Sequence, residues 1–378
     1  MEKFSSITTI YMGKDALASA LCGAQKVFVV TDPFMVSSGK IGYVTNFLDD
    51  ENIQYTVFSD VQSDPDIETV AAGMARIIEF QPDHVVVLGG GSPIDAAKAI
   101  VYFAHRQGKI PPSPFTAIPT TSGTGSEVSR FAVITDHKKN VKYPMVEESL
   151  LPTSAVLNAE LVMSVPPKVT ADAGLDVLTH AIEAFVSTER TDFTDAMAEK
   201  AIKLIYHHLL TVYQHPDDYA ARQRVHNASC MAGIAFSNAG LGLNHAMAHT
   251  LGAKFHIAHG RANAILLPYV MSFNAGCSTS LTATAKRYAK IAYLCDISTS
   301  SVRQSALNVI RTIRSWEKKM DIPQTIRAAG VTESAFYKLL PEMVRDAMAD
   351  GCLATTPQPC TKEDVERVFE NAYNGKLP

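Results

Sequence analysis

The sequence of 378 residues predicts an α/β domain followed by an all-helical domain. In the first 150 residues, short β-branched segments of strand length alternate with segments whose apolar residues recur at helical spacing. After about residue 160, the chain consists of long, alanine-rich segments typical of helices. The consecutive prolines within 165–169 would end one element before the next begins. Because the chain is too long for one ordinary core, we predict domains over 1–163 and 164–378.

The strand candidates of the N-terminal domain are bounded by turn-forming residues and separated by helical segments. They are KVFVVTD (26–32), YTVFSDV (55–61), HVVVLGG (84–90) and FTAIPTT (115–121). Helices are predicted between them over 67–80 and 93–106. This alternation predicts a parallel sheet with helices packed on its faces. The C-terminal domain is predicted to contain helices over 169–187, 192–213 and 219–240.

Composition and charge argue against several classes of function. The net charge of −4 gives no basic surface for nucleic acid or an anionic membrane. No apolar run approaches the roughly 20 residues that span a bilayer, and the first residues lack the pattern of a signal peptide. Six cysteines without C-x-x-C pairing fit free thiols in a reducing cytosol. We therefore expect a soluble cytoplasmic protein.

A glycine-rich segment, GGGSPIDAAKAI (89–100), follows one strand and opens a helix. Ser92 is predicted to be the N-cap, with Pro93 in the first helical position and Asp95 completing a capping box. The free N–H groups of such a helix start attract phosphate. The alternative is a tight, well-capped turn without a ligand, and the segment is not the G-x-G-x-x-G fingerprint.

A second loop, IPTTSGTGSEVS (118–129), also follows a strand and combines hydroxyl side chains with two glycines. Open α/β sheets bind nucleotides at the carboxyl ends of their strands, so two such loops favour a nucleotide site. Asp32, at the end of an earlier strand, could bind ribose hydroxyls and would repel a 2′-phosphate. Its alternative role is that of a turn-forming aspartate before Pro33.

Histidines are concentrated in one segment of the C-terminal domain, LNHAMAHTLGAKFHIAHGRANA. They are His245, His249, His256 and His259. His245 and His249 are four residues apart and could share a helix face, and Asp176 and His180 have the same separation upstream. A carboxylate and imidazoles in one cavity would suit Fe²⁺ or Zn²⁺. Spacing alone leaves open which imidazoles bind, and His256 is the weakest candidate.

Two other classes of metalloprotein fit this sequence poorly. The segment HAMAH lacks the glutamate that H-E-x-x-H metalloproteases use as a base. The paired Glu-x-x-His motifs of di-iron carboxylate bundles are also missing from the sequence. The remaining alternative is that the histidines are packed core residues bonded to carbonyl groups. A metal site together with a nucleotide site indicates metal-assisted hydride transfer as readily as hydrolysis.

Taken together, these motifs resemble those of the iron-dependent (group III) alcohol dehydrogenase family. The resemblance rests on GGGSPIDAAKAI, IPTTSGTGSEV, GLDVLTHAIEAFVS and GLNHAMAHTLGAKFHIAHGRANAILLP. The segments VKYP and DVLTHAIEA are similar to those of propanol dehydrogenases from propanediol-utilisation systems. The resemblance implies the architecture shared with dehydroquinate synthases: an N-terminal dinucleotide-binding domain, a helical metal-binding domain and an active site in the cleft between them.

The resemblance also implies roles for individual residues. The ligands of Fe²⁺, or alternatively of Zn²⁺, would be Asp176, His180, His245 and His259. His249 would be the catalytic residue near the nicotinamide. The NAD(H) contacts would be Asp32, Gly90, Gly91, Ser92, Thr120, Thr121, Thr124, Ser129, Val133 and Lys142, to which we add Asp95 from the first glycine loop. By the same alignment, Phe131 and Phe236 would border the substrate pocket and narrow it.

The function that the resemblance implies is metal-dependent interconversion of short primary alcohols and aldehydes with NAD(H), with reduction of propanal favoured. The alternatives are a lactaldehyde or 1,3-propanediol type of polyol oxidoreductase, an NAD-using metal-dependent lyase, and a nucleotide-binding module without catalysis. The expected partners are a small-molecule substrate and further copies of the chain in a homodimer or larger homo-oligomer. Association with a bacterial microcompartment is compatible with the resemblance, although no additional targeting helix is visible in the sequence.

Overall fold

The computed structural model describes residues 3–13, 15–139 and 141–377. The described residues form two compact units, one over residues 5–164 and one over residues 165–377, to which Lys3 and Phe4 also belong. The first unit contains a parallel sheet with helices, and the described part of the second unit contains helices without strands. The predicted fold class, an α/β domain followed by an all-helical domain, is therefore confirmed.

The first unit is built around a six-stranded parallel sheet. Its strands and those of a small antiparallel ribbon are β1 (Thr9–Met12), β2 (Lys26–Val30), β3 (Gln54–Phe58), β4 (His84–Gly89), β5 (Phe115–Pro119), β6 (Phe131–Asp136), β7 (Val141–Val146) and β8 (Ser154–Leu157). The strand order in the sheet is β1-β8-β5-β4-β2-β3, and β6 pairs with β7 in the ribbon. All pairings in the six-stranded sheet are parallel.

Helices cover both faces of this sheet. They are α1 (Ala16–Ala20), α2 (Pro33–Ser37), α3 (Gly42–Asp50), α4 (Ile67–Phe80) and α5 (Gly91–Arg106). Alternate residues of β4 point to opposite faces, so Val85 and Val87 belong to one apolar layer and Val86 and Leu88 to the other. Because both faces are buried, β4 is apolar along most of its length rather than alternating.

The start of α5 differs from the prediction. The helix begins at Gly91 with Gly90 as its N-cap, and no side chain caps it. The predicted capping box of Ser92 and Asp95 is therefore wrong, because Gly91 and Ser92 already belong to the helix and the N-cap position falls on Gly90. Strands β1, β6, β7 and β8 and the helices α1, α2 and α3 were also missed, since each is short and none is strongly periodic.

The second unit is a set of nine described helices. They are α6 (Pro167–Val186), α7 (Asp192–Gln214), α8 (Tyr219–Ala239), α9 (Leu243–Phe255), α10 (His259–Ala275), α11 (Thr284–Leu294), α12 (Val302–Lys319), α13 (Glu333–Ala349) and α14 (Lys362–Asn374). The first three confirm the predicted helices to within two residues at each end. Helix α6 packs against α7, α8 and α10. Within the described residues, no helix combines the length and apolarity that a membrane span requires.

Candidate functional site

Helix α6 carries polar side chains into the interior of the helical unit. Asp176, His180 and Glu183 lie at positions i, i+4 and i+7, so they share one face of the helix. Each of the three residues is only 3–4% exposed. Buried polar groups are costly unless they are hydrogen-bonded or bind a ligand, so this face requires partners of matching chemistry. Those partners come from α9 and α10, which pack against each other.

Four side chains converge here: Asp176 and His180 of α6, His245 of α9 and His259 of α10. Each offers a ligand atom, and these atoms all lie within 4.8 Å of one another. Asp176 Oδ1 lies 3.9 Å from His245 Nε2 and 3.6 Å from His259 Nε2. The rings of His180 and His245 are stacked with their centroids 4.7 Å apart. Three imidazoles and one carboxylate form a donor set suited to a divalent transition metal, so the residues fit the ion that the sequence implies.

The electrostatics of His245 favour the protonation state that binds a metal. Burial and the neighbouring imidazoles of His180, His259 and His249 hold its pKa well below the usual range. The ring is therefore neutral at physiological pH, as a metal-ligating imidazole must be.

A glycine brings His259 close to α6. His259 is the first residue of α10, and Gly260 follows it. A Cβ atom at Gly260 would lie 2.3 Å from the carbonyl oxygen of Asp172, so only glycine allows this approach. Arg261 reinforces the contact, because its Nε donates to Asp172 Oδ1 at 2.9 Å. The start of α10 is thus fixed against α6, beside Asp176.

Sequence reasoning missed two polar residues that contact the cluster. Asn263, one turn after His259, donates from Nδ2 to Asp176 Oδ1 at 2.7 Å. Glu183 Oε2 lies 2.5 Å from Nδ1 of His245. Asn263 could have been found from its spacing of four residues after His259. Glu183 follows His180 by three residues, but this spacing alone does not indicate that Glu183 contacts His245, because His245 belongs to a different helix, α9.

His249 lies beside the cluster but outside the set of four. Its ring stacks on His259 with centroids 5.5 Å apart, and its Nδ1 lies 2.8 Å from Asp350 Oδ2. Burial works to raise the pKa of Asp350, but the hydrogen bond and charge of His249 outweigh it and lower that pKa. The carboxylate is therefore ionised and accepts the Nδ1 proton, which leaves Nε2 of His249 for other partners. His256, the weakest candidate, ends α9 in the left-handed conformation and is exposed outside the cluster.

The two phenylalanines expected near the substrate lie in different units. Phe236 of α8 stacks on the ring of His180, with centroids 4.6 Å apart, and so borders the metal cluster. Phe131 is the first residue of β6 and is half-buried, and its carbonyl oxygen accepts a hydrogen bond from Lys98.

In the first unit, three neighbouring strands end in the predicted cofactor residues. Asp32 follows β2, Gly90 and Gly91 follow β4, and the threonine-rich loop follows β5. The strand order reverses between β2 and β4, which is the switch point where open α/β sheets bind ligands. Asp32 also accepts the Met35 N–H at 2.9 Å and caps α2, so its alternative role is present as well.

The two glycine loops touch each other at the start of α5. A Cβ atom at Gly91 would lie 2.9 Å from Thr124 Cγ2, and one at Gly90 would lie 3.4 Å from Thr121 Oγ1. Thr120 is buried, and it donates its N–H to the Gly89 carbonyl at 2.9 Å. Because α5 begins without a side-chain cap, its first N–H groups are suited to an anionic ligand such as a phosphate.

The other predicted cofactor residues engage neighbours within this unit. Asp95 accepts hydrogen bonds from Ser126 Oγ at 2.7 Å and from the Val133 N–H at 3.0 Å. The Ser129 carbonyl accepts from Lys98 at 2.7 Å. Lys142 forms an exposed ion pair with Asp64 at 2.6 Å. Their contacts with NAD(H) remain predictions.

Two buried charged residues beside the second loop, Lys98 and Glu127, were not singled out from the sequence. Lys98 of α5 is 1% exposed and donates to Ser126 Oγ at 3.0 Å, and burial lowers its pKa to about 8. Burial raises the pKa of nearby Glu127 to about 7. In the sequence, a lysine within a helix is typical of a solvated face, so Lys98 carried no signal of its burial. This lysine holds the second loop against the helix.

Comparison with known proteins agrees with this geometry. The family model of iron-containing alcohol dehydrogenases matches residues 8–159. The family model of the C-terminal part of Fe-containing alcohol dehydrogenases matches residues 170–373. The chain belongs to the iron-containing alcohol dehydrogenase family. It is therefore an oxidoreductase that interconverts alcohols and aldehydes with iron and NAD(H) as cofactors.

Individual relatives match over nearly their full length. The chain is 44% identical to the 1-propanol dehydrogenase PduQ of Salmonella typhimurium, covering 98% of this chain and 99% of that protein. It is 39% identical to the NADPH-dependent butanol dehydrogenase of Clostridium saccharobutylicum, covering 99% of each. Among solved structures, a 1,3-propanediol oxidoreductase superposes with a TM-score of 0.91 at 31% identity, covering 99% of this chain and 100% of that one.

Proposed function

We propose that this iron-containing alcohol dehydrogenase reduces short-chain aldehydes, propanal in particular, with NADH. The observation that carries the proposal is the convergence of one carboxylate and three imidazoles, with ligand atoms within 4.8 Å of one another, beside the pair of His249 and Asp350. The choice of propanal is supported by the 44% identity to a 1-propanol dehydrogenase.

The residues of the helical unit would have three separate roles: metal binding, proton exchange and limitation of the space for substrate. Asp176, His180, His245 and His259 would hold a ferrous ion, which as a Lewis acid supplies polarisation of the substrate oxygen. His249, with its Nδ1 proton engaged by Asp350, presents Nε2 as the group that exchanges a proton with the substrate oxygen. Phe236 stacks on His180 and would limit the space beside a bound ion.

We propose that residues 1–163 bind NAD(H) and that residues 164–378 hold the metal. The pyrophosphate would bind the N–H groups at the start of α5, where Gly90, Gly91 and Ser92 lie. Hydroxyl groups of the second loop would complete the site, with Thr120, Thr121 and Thr124 as contacts. Asp32 would accept hydrogen bonds from the ribose hydroxyls and disfavour NADPH.

A polyol oxidoreductase acting on lactaldehyde or 3-hydroxypropanal is the second candidate. It is favoured by the structural similarity to a 1,3-propanediol oxidoreductase. A panel of propanal, lactaldehyde and 3-hydroxypropanal separates the two candidates. We expect the highest kcat/KM with propanal, because Phe236 offers an apolar surface beside the proposed metal and adds no hydrogen-bonding group for a second hydroxyl.

The deciding experiment combines metal analysis of anaerobically purified protein with an NADH oxidation assay. We expect about one iron per chain and aldehyde-dependent loss of NADH absorbance that disappears on chelation and returns with Fe²⁺. Activity that is indifferent to chelation would refute the proposal. Zinc in place of iron, with full activity, would correct only the identity of the metal.

We further propose that the protein acts in the cytoplasm as a homodimer or larger homo-oligomer, either free or inside a bacterial microcompartment. The sheet has β1 and β3 at its edges among the described strands, and either edge could pair with a second copy. The microcompartment setting is motivated by the sequence resemblance to propanol dehydrogenases of propanediol-utilisation systems. Light scattering on the purified protein tests the oligomeric state, and fractionation of the source cells tests the location.

A further inference from the structure

Glu183 connects two helices through one enclosed carboxylate. It is 4% exposed, and its Oε1 accepts the N–H of Asn244 at 2.7 Å. Its Oε2 lies 3.4 Å from the backbone nitrogen of His245 and 2.5 Å from Nδ1 of the same residue. A single side chain of α6 thus contacts both the backbone at the start of α9 and a ring nitrogen of His245.

The start of α9 lacks a cap of its own. Its N-cap is Gly242, which has no side chain, and the first turn contains no acidic residue. The first N–H groups of a helix need acceptors, and a negative charge near them is stabilising. Glu183 therefore does for α9 what an N-cap aspartate or serine does in most helices, although it belongs to a different helix.

The same carboxylate determines how His245 can face the metal cluster. A carboxylate at Nδ1 keeps the ring proton on that nitrogen, so the lone pair of the neutral imidazole is at Nε2. Nε2 is the nitrogen that faces Asp176 Oδ1, at 3.9 Å. Rotation of the ring would break the contact with Glu183, so the carboxylate also restricts the orientation of the imidazole.

Gly242 permits this close contact between the helices. A Cβ atom there would lie 2.9 Å from Glu183 Oε1, while the φ of −158° is accessible to any residue. Replacement by alanine would therefore displace the carboxylate without backbone strain at position 242. The variant G242A is therefore a second way to disturb the contact between Glu183 and α9, and it keeps the glutamate side chain.

We propose that Glu183 is a positioning residue for the metal centre: its carboxylate starts helix α9 and holds the ring of His245 in the tautomer and orientation that bind the ion. The inference rests on the proposed metal site and adds a residue to it. Glu183 does not touch the substrate or the cofactor in this proposal, and it acts only through His245.

The test measures metal affinity in the whole protein rather than activity. Metal-free protein is titrated with Co²⁺ or Zn²⁺ in competition with a chromophoric chelator, and the Co²⁺ absorption spectrum is recorded at saturation. We expect E183Q to bind about 10- to 100-fold more weakly, the usual effect of losing a partner behind a ligand, and to shift the spectrum. In E183Q, an amide NH₂ would face either the Asn244 N–H or the Nδ1 proton of His245.

E317Q is the matched control. Glu317 is 0% exposed, belongs to the same unit and pairs with Arg314 at 3.0 Å. It lies outside the described metal cluster. We therefore expect E317Q to reduce thermal stability while its Co²⁺ affinity and spectrum stay as in the wild type.

The possible outcomes separate this inference from the proposed function. A wild-type chain that binds no ion would remove the metal site and the inference together. A wild type that binds normally, with E183Q within about twofold of E317Q and an unchanged spectrum, would overturn the inference alone. Should E183Q fail to fold, G242A takes its place, with the same expectation of weakened affinity and the same criterion for rejection.

Discussion

His245 and His249 are one turn apart on α9, and both have a carboxylate at Nδ1. For His245 it is Glu183 at 2.5 Å, and for His249 it is Asp350 at 2.8 Å. The side chain of His245 is 1% exposed and that of His249 is 42% exposed. Nε2 of His245 faces Asp176 within the cluster of four ligand residues, whereas His249 lies outside that cluster. Under the proposed roles, the same local arrangement would therefore serve two tasks, and the position of each ring relative to the cluster would decide between them.

The largest expected effect comes from removing these histidines one at a time. His245→Ala should lose stoichiometric metal and reduce kcat/KM on the order of 1,000-fold or more, because Lewis-acid stabilisation contributes several kcal/mol. His249→Ala should retain the metal and lose roughly 100-fold in kcat, the lower end of what a positioned acid or base contributes. Elemental analysis and steady-state kinetics on both variants provide the measurement. Equal loss of metal in both variants would contradict the proposal that His245 is a metal ligand and His249 a proton-transferring residue.

A smaller effect is expected from Asp350→Asn, which acts on His249 through its partner. Asp350 Oδ1 accepts the Cys352 N–H at 2.8 Å, and an asparagine carbonyl can retain that bond. At the other oxygen, the ionised acceptor for Nδ1 of His249 is lost. We expect kcat to fall about 10-fold and its pH profile to shift, with the aldehyde KM and metal content unchanged.

His256→Ala is the control for Asp350→Asn, since His256 is the C-cap of α9, the helix that carries His249, and is exposed outside the cluster. It should leave kcat and the pH profile as in the wild type. An unshifted pH profile in Asp350→Asn would show that the aspartate only shapes the turn after α13.

Much of the fold was predictable because its signals are local. Helix α4 was predicted over its observed range, since its apolar residues recur at helical spacing. In the structure Asp66 caps its start, a local signal that the prediction did not use. Strand β7 was not predicted, because nearly all its residues are exposed and, among the described strands, it pairs only with β6. The start of α5 was misplaced because a serine before a proline gives a strong local signal, whereas in the structure the helix begins at Gly91, where threonine side chains of the second loop lie close.

The candidate site was predictable in part. Spacing of four residues on α6 and α9 identified Asp176, His180 and His245 as candidates, but the choice between His245 and His249 depends on which side of α9 is buried. Glu183 and Lys98 were missed for a related reason. In sequence, a glutamate or lysine within a helix is typical of a solvated face, and only the neighbouring element makes it a buried partner.

The smallest expected effect lies in the other unit and should leave both histidines of α9 undisturbed. Asp32→Asn and Asp32→Gly both remove the charge proposed to repel a 2′-phosphate. At a separation of about 4 Å in water, that repulsion is worth about 1 kcal/mol, so NADPH affinity should rise roughly fivefold relative to NADH.

Asp66→Asn is the control, because Asp66 caps α4 in the same way, accepting the Thr69 N–H at 2.7 Å. Dissociation constants from nicotinamide fluorescence provide the measurement. Equal NADPH-to-NADH ratios in all three variants and the wild type would assign Asp32 to capping α2 alone, while unchanged metal content would show that the two units can be altered independently.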